Sequence, residues 1–344
     1  MAGANTLYRK SIASPLEDAK NIKLNQSLIR YMEQLQISNN PRDVAIAVQF
    51  IDFHESIHRA DKPINSMLVM QLKNVILQSP DDVDIAWMEA LGCGRLEAAC
   101  DPENAIARLK RLEPENLAVY LLAFNRADKA GDNRLRLSEL HAMANSGYSD
   151  IHYSSISKLY YEAFRGWHTP IKISAKELFG DDSNQAPVTD DEARKVVSMG
   201  YSMAMGLPTL QQLSTYCKAE KLPADQLQYC QKIATVMIKD KTLIMHRIGL
   251  RIGVEVFKQE PAASQWREAY RVSYWQLSGH GHDPNGKTKS NERKYFNQWP
   301  NADEVGQQKQ RLIDKGIPLT PPAGWLPESE EIQKLLKAPI ATKP

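Results

Sequence analysis

The residues of this sequence with the clearest capacity for chemistry form the stretch His54-Glu55-Ser56-Ile57-His58. If the stretch is helical, His54 and His58 lie one turn apart on the same face, where both imidazoles can bind one metal ion. Glu55 would then act as a general base on a zinc-bound water. The spacing is therefore compatible with zinc-assisted hydrolysis.

The surroundings of this motif decide how far that interpretation extends. A catalytic zinc keeps three protein ligands and one open position. The residues that follow, 59–64, supply neither the glycine nor the third histidine of the Met-turn metallopeptidases, and Glu89 is the nearest candidate for a third ligand on a later helix. Asp52 and Arg59 flank the motif and suggest a partly solvated helix face. A zinc-dependent metallopeptidase is kept as an alternative, and no metal or cofactor is predicted.

A second candidate for metal binding is GHGHDPNG, residues 279–286, with His280, His282 and Asp283. The run Asp283-Pro284-Asn285-Gly286 also suits a solvated β-turn, and we predict a turn. The sequence has no GxSxG elbow, Walker loop or dinucleotide-binding fingerprint.

Aromatic and arginine residues are the stronger candidates for function. Trp266, Tyr270 and Tyr274 occur at i, i+4 and i+8, so a helix places them in one stripe. Tryptophan, tyrosine and arginine dominate the energetics of protein interfaces, so the stripe could bind a partner. The same spacing is also typical of aromatic residues packed in a core. The predicted partner-binding residues are Trp266, Arg267, Tyr270, Arg271, Tyr274 and Trp299.

Composition and charge exclude several classes of partner. The chain has 344 residues, of which 42% are hydrophobic and 24% charged, as in ordinary globular proteins. A net charge of +2 gives no electrostatic basis for binding nucleic acid. No apolar run approaches the roughly 20 residues that a transmembrane helix needs.

The four cysteines form two local pairs, Cys93 with Cys100 and Cys217 with Cys230. Neither pair has the CxxC spacing of a zinc ribbon. The second pair brackets a predicted turn between helices, where a disulfide would staple a hairpin. Disulfides favour a periplasmic or secreted location, with a signal peptide absent from this sequence; four reduced cysteines in a cytoplasmic protein are the alternative.

Apolar residues recur at helical spacing almost throughout, and no alternating strand pattern occurs. The predicted fold is all-α, made of helical hairpins, partly solenoid-like, with an irregular C-terminal third. The predicted organisation is an N-terminal domain at 14–167, a linker at 168–188 and a C-terminal domain at 189–344 with a long loop at 278–301.

Residues 112–147 resemble a helix-turn-helix repeat of the tetratricopeptide or Sel1-like kind. EPEN at 113–116 resembles the proline-bearing junction between such repeats, and ADKAGD at 127–132 resembles the turn within one. The paired cysteines, this hairpin and the later stretch TLIMHRIGLRIG at 242–253 are also similar to exported helical proteins of bacteria. The resemblance implies export and a helical scaffold, and it implies no catalytic residue.

These observations predict a non-enzymatic, protein-binding helical scaffold. Within that class they favour an exported bacterial immunity or adaptor protein, whose partner is a secreted toxin, another secreted effector or a secretion-system component. The alternatives are the zinc-dependent metallopeptidase built on His54, Glu55 and His58, and a cell-wall glycan-binding module that uses the aromatic patches.

Overall fold

The structure, a computed structural model, describes residues 15–58, 66–93, 101–175, 178, 186–205, 207–218, 222–278, 292–299 and 303–337, and within these ranges the side chains at 15–19, 55–58, 66, 69, 205 and 292 are not described. These ranges contain no β-strand and confirm the all-α prediction. The described residues form sixteen continuous α-helices, which are α1 (Pro15–Leu35), α2 (Pro41–His58), α3 (Ser66–Gln78), α4 (Val83–Cys93), α5 (Pro102–Leu112), α6 (Leu117–Ala130), α7 (Asn133–Ala144), α8 (Tyr153–Ala163), α9 (Asp190–Met205), α10 (Gln211–Cys217), α11 (Ala224–Met237), α12 (Leu243–Val256), α13 (Ala263–Ser278), α14 (Glu292–Asn297), α15 (Glu304–Asp314) and α16 (Glu330–Lys337).

The chain forms two compact units, each assembled from two stretches of sequence. Unit 1 comprises Met1–Arg108 and His152–Leu207, and unit 2 comprises Leu109–Ile151 and Pro208–Pro344. The segment 168–188, which is predicted from the sequence to be a linker, belongs to unit 1 in this division. The reason is that α9, which follows this segment, packs against α8, which precedes it.

Helix α2 forms the centre of unit 1. Its residues 45–52 are all buried, so this part of the helix has no side that faces solvent. Gln49 is buried in this run, and its amide donates to the Met88 carbonyl at 2.6 Å while its oxygen accepts from the Tyr160 hydroxyl at 3.2 Å. The polar group is therefore satisfied inside the core.

The hairpin α6–α7 in unit 2 turns at Gly131 and Asp132, the last two residues of the stretch 127–132. Gly131 ends α6 with φ 70°, the left-handed conformation that glycine adopts without steric cost. Asp132 then begins α7 by accepting a hydrogen bond from the Leu135 amide at 2.9 Å. Solenoid-like stacking beyond this hairpin stays a prediction.

Asn116 joins the start of this hairpin to the residues that follow it. Its side chain is fully buried, caps α6 by accepting from the Ala118 amide at 3.1 Å, and pairs with the Asp150 backbone through bonds of 2.8 and 3.0 Å. An isolated parallel β-bridge between Asn116 and Tyr148 lies alongside. One side chain thus closes the loop between the two ends of the hairpin.

The similar tetrapeptides DPEN and EPEN have different structural roles. In DPEN, Asp101 caps the helix, Pro102 is its first residue and Asn104 is exposed. In EPEN the helix begins three residues after Pro114, and the buried Asn116 is the cap. The two motifs are therefore not equivalent positions of one structural repeat.

The disulfide Cys217–Cys230 links α10 to α11 with a Cα–Cα distance of 5.7 Å. Both residues are buried. Cys93 is disulfide-bonded and fully buried at the end of α4, whereas Cys100, its predicted partner, lies outside the described residues. The predicted hairpin staple is therefore confirmed for the second pair.

Replacing both Cys217 and Cys230 with alanine should lower the free energy of unfolding by about 3 kcal/mol, because the unfolded chain regains the entropy of an open loop. Denaturant unfolding without reductant measures this loss and keeps the bond of Cys93 intact. An unchanged denaturation midpoint would show that the bridge contributes nothing to stability.

A buried carboxyl group, Asp240, and a half-buried one, Glu304, lie at the start of α12. Asp240 accepts hydrogen bonds from the Ser149 hydroxyl at 2.7 Å and from the Thr242 amide at 2.8 Å. Glu304 accepts from the Leu243 amide at 2.9 Å. Burial raises the pKa of both carboxyls, although these hydrogen bonds act to lower it. The charge of Asp150 raises the pKa of Asp240 further, whereas the charge of Arg311 acts to lower the pKa of Glu304.

The raised pKa of Asp240 predicts a pH-dependent effect of Asp240→Asn. The folded protein holds this proton more tightly than the unfolded chain, so the stabilisation is complete below about pH 3.9 and is lost as pH rises through the folded pKa. Asparagine does not titrate. Unfolding measured from pH 7 to pH 4 should show wild type gaining stability relative to Asp240→Asn as pH falls, and a pH-independent difference would contradict this.

Candidate functional site

The HESIH motif lies at the C-terminal end of α2, and its helical conformation is confirmed. His54 is half-buried, while the side chains of Glu55 and His58 lie outside the described residues. Asp52 is only 4% exposed, so its inference as part of a solvated face is wrong. The charge does not mark a surface, because α2 is the central helix of its unit.

Glu89, the candidate third ligand, is buried and forms an ion pair with Arg108 at 3.4 Å. Burial raises the pKa of this carboxyl, and the charge of Arg108 opposes the rise. Across the described side chains, no group of three histidine, cysteine, aspartate or glutamate residues is arranged to hold a metal ion. The second candidate, His280, His282 and Asp283, lies outside the described residues.

One cluster with catalytic residue types was not anticipated from the sequence. The Ser155 hydroxyl donates to Asp84 at 2.6 Å, and His152 Nδ1 lies 3.3 Å from both the carboxylate and the hydroxyl. Burial raises the pKa of Asp84, but the hydrogen bonds from His152 and Ser155 outweigh it, so the pKa lies below its usual value.

The geometry of this cluster is that of a helix-end network. In a serine–histidine–aspartate triad, one ring nitrogen of the histidine contacts the serine hydroxyl and the other contacts the aspartate carboxylate. Here the same nitrogen, His152 Nδ1, lies beside both the Ser155 hydroxyl and the Asp84 carboxylate. Asp84 lies in the first turn of α4, and His152, with φ 55°, precedes the first residue of α8. The contacts therefore join the starts of two helices.

The aromatic stripe on α13 packs inside unit 2. Trp266 stacks on Phe257 with ring centroids 4.9 Å apart. Tyr270 is 2% exposed, so its side chain is not available on the surface in this conformation, and its role in partner binding stays a prediction. Arg247 of α12 lies over the Tyr274 ring at 4.4 Å.

The three other predicted binding residues have different surroundings. Arg271 donates to Glu268 at 2.7 Å and to the backbone carbonyls of Pro322 and Trp325, both at 3.2 Å. It therefore ties the proline-rich segment to α13. Arg267 and Trp299 are half-buried, and the structure places Trp299 just after α14, inside the segment 278–301 predicted to be a loop.

The C-terminal helix α16 covers this stripe. Ile332 is buried against Leu250, Val254 and Tyr270, and the half-buried Leu335 and Leu336 pack on the same cluster. Tyr270 and its neighbours therefore form a continuous apolar site whose solvent side is closed by the chain itself.

Glycan binding would need aromatic rings that are open to a sugar. All six tryptophans fall within the described residues, and none of them is exposed. Trp87, Trp167 and Trp275 are buried. Trp266, Trp299 and Trp325 are half-buried, so glycan binding through them stays a prediction.

Comparison of the chain with protein-family models, with curated proteins and with solved structures finds no match. The resemblance of residues 112–147 to tetratricopeptide or Sel1-like repeats therefore stays a prediction. Within the described ranges, none of the helices combines the length and the apolar content that a membrane crossing needs.

Proposed function

We propose that this chain is a non-enzymatic helical scaffold that binds another protein. The observation that carries the proposal is the cluster on α12 and α13, where Trp266, Tyr270 and Tyr274 lie together with Arg247. This is the residue mixture that dominates binding energy at protein interfaces. The cluster of Asp84, His152 and Ser155, in contrast, joins the starts of α4 and α8.

The setting we propose is outside the cytoplasm. Structural disulfides form and persist in oxidising compartments, and Cys217–Cys230 is buried and joins two helices. An exported bacterial immunity or adaptor protein, which binds a secreted toxin or a secretion-system component, accords with such a setting and with a scaffold that needs no cofactor.

Partner capture with matched variants tests the proposal. The full chain is immobilised, exposed to secreted and periplasmic protein from the source cell, and the bound proteins are quantified by mass spectrometry. The wild type should enrich one partner at near-stoichiometric amount. Arg267→Ala, which removes one of the predicted partner-binding side chains next to the stripe, should weaken that enrichment at least tenfold.

Lys158→Ala provides the control, because Lys158 is an exposed residue of α8 in unit 1. It should capture the partner as well as the wild type does. No stoichiometric partner, or equal capture by Arg267→Ala and Lys158→Ala, would contradict binding through the predicted partner-binding residues.

A zinc-dependent hydrolase is the second candidate, and the burial of α2 is the observation that favours it. A zinc-binding helix beneath an active site is held in the core, and residues 45–52 of α2 are buried directly before the motif. Catalysis would still require a third ligand beside His54 and His58. The zinc content of the protein separates this candidate from the scaffold.

A further inference from the structure

Helix α16 is held by few contacts although it covers the aromatic cluster. Of its eight residues only Ile332 is buried, while Leu335 and Leu336 are half-buried. Arg251 donates to Glu331 at 2.6 Å, and the Glu331 side chain is 70% exposed. A helix of this length has little stability of its own in water, so its persistence depends on these contacts.

The segment before α16 is anchored separately. Trp275 Nε1 donates to the Pro318 carbonyl at 2.7 Å, and the Gln276 amide donates to the Leu319 carbonyl at 3.1 Å. Arg271 binds two further carbonyls of the same segment. The chain is therefore fixed to α13 up to Trp325, so α16 can detach without releasing the segment that leads to it.

The contacts of α16 define what the site beneath it accepts. Three apolar side chains at i, i+3 and i+4 enter the cluster of Leu250, Val254 and Tyr270. The first turn of α16 carries Glu330 and Glu331, and Arg251 of α12 forms an ion pair with Glu331. The site thus fits an amphipathic helix with an acidic first turn.

We propose that α16 is an intramolecular occupant of the binding site, and that the protein partner inserts an amphipathic helix of the same pattern in its place. This inference rests on the proposed scaffold function and identifies the chemistry of its partner. While α16 is bound, its tether gives it a high effective concentration, so a free helix competes poorly. Binding therefore requires α16 to leave first.

A fluorescent peptide with the sequence of residues 327–337 is the probe, and fluorescence anisotropy measures its binding to the full-length protein. Ile332→Asp removes the one buried side chain of α16 and should release this helix. The variant should bind the peptide at least ten times more tightly than the wild type. Lys334→Asp, which places the same side chain at an exposed position of α16, should bind like the wild type.

Equal peptide binding by Ile332→Asp and wild type, with the helical circular dichroism of the variant intact, would overturn the proposal. Hydrogen exchange on the wild type covers the case in which the variant does not fold. The amides of α16 should exchange at least a hundredfold faster than those of α12. If both helices exchange at one rate, α16 opens only when unit 2 unfolds, and it is not a displaceable occupant.

The outcomes separate this inference from the scaffold function. If the full chain captures a partner and α16 never opens, the proposal that α16 is displaced is wrong, but the scaffold function stands. If Ile332→Asp binds the peptide but no partner is captured, the helix-binding site beneath α16 is supported and the proposed scaffold function is contradicted.

Discussion

Replacing Gly253 with alanine should destabilise unit 2 by about 3 kcal/mol, because α12 and α13 cross at this residue with no room for a methyl group. A Cβ atom added here would lie 2.0 Å from Cε3 of Trp266. The indole is itself stacked on Phe257, so it cannot move away without losing that contact. The loss should be seen as a lower denaturation midpoint followed by tryptophan fluorescence.

Gly200→Ala is the matched control, since Gly200 also lies inside a helix but a Cβ there meets nothing within 4 Å. That change should stabilise unit 1 by about 0.5–1 kcal/mol through helix propensity alone. Opposite signs for the two substitutions would establish the close approach at Gly253. Two changes of the same sign and size would argue against it.

Replacing Asn116 with alanine should cost about 3 kcal/mol, because a fully buried side chain loses a helix cap and leaves backbone groups of Asp150 unpaired. Chemical denaturation, followed by circular dichroism, measures the change. The effect should be local to unit 2, since the lost bonds join the start of α6 to the residues after α7.

Asn104→Ala tests whether position or sequence determines this cost. Asn104 occupies the same place in DPEN as Asn116 does in EPEN, but it is exposed. Its replacement should change the free energy of unfolding by less than about 0.5 kcal/mol. If the two alanine variants lose equal stability, the different roles of the two motifs would be contradicted.

The helices that periodicity predicts are those with a clear apolar stripe and terminal signals, such as α6 between Asn116 and Gly131. Helix α1 has no clear apolar stripe, because much of it is polar, and among its described side chains only Leu28 and Met32 enter the core. Long-range bonds hold it instead, including that from the Tyr31 hydroxyl to the Ala163 carbonyl at 2.8 Å. Such contacts have no local sequence signal.

The aromatic stripe on α13 could be predicted from spacing, but its burial could not. Whether Tyr270 faces solvent depends on Ile332, which is 62 positions later in the chain (332 − 270). The same limit applies to Asp84 and Ser155, which are separated by 71 residues and meet only because the starts of α4 and α8 converge.

The solvated flank inferred from Asp52 shows a further limit. A charged residue in a helix usually marks an exposed face, yet Asp52 is buried in the central helix of its unit. Residue type predicts exposure only when the helix has a solvent side, and residues 45–52 of α2 have none.

Whether the chain works by binding or by catalysis is tested most directly by its zinc content, because HESIH is its strongest catalytic motif. Elemental mass spectrometry is applied to protein purified without a metal-affinity column, as wild type, His54→Ala and His141→Ala, the last being an exposed histidine on α7. A binding scaffold predicts no stoichiometric zinc in any of the three. One zinc per chain in wild type and His141→Ala, lost in His54→Ala, would contradict the scaffold and make the protein a metalloenzyme.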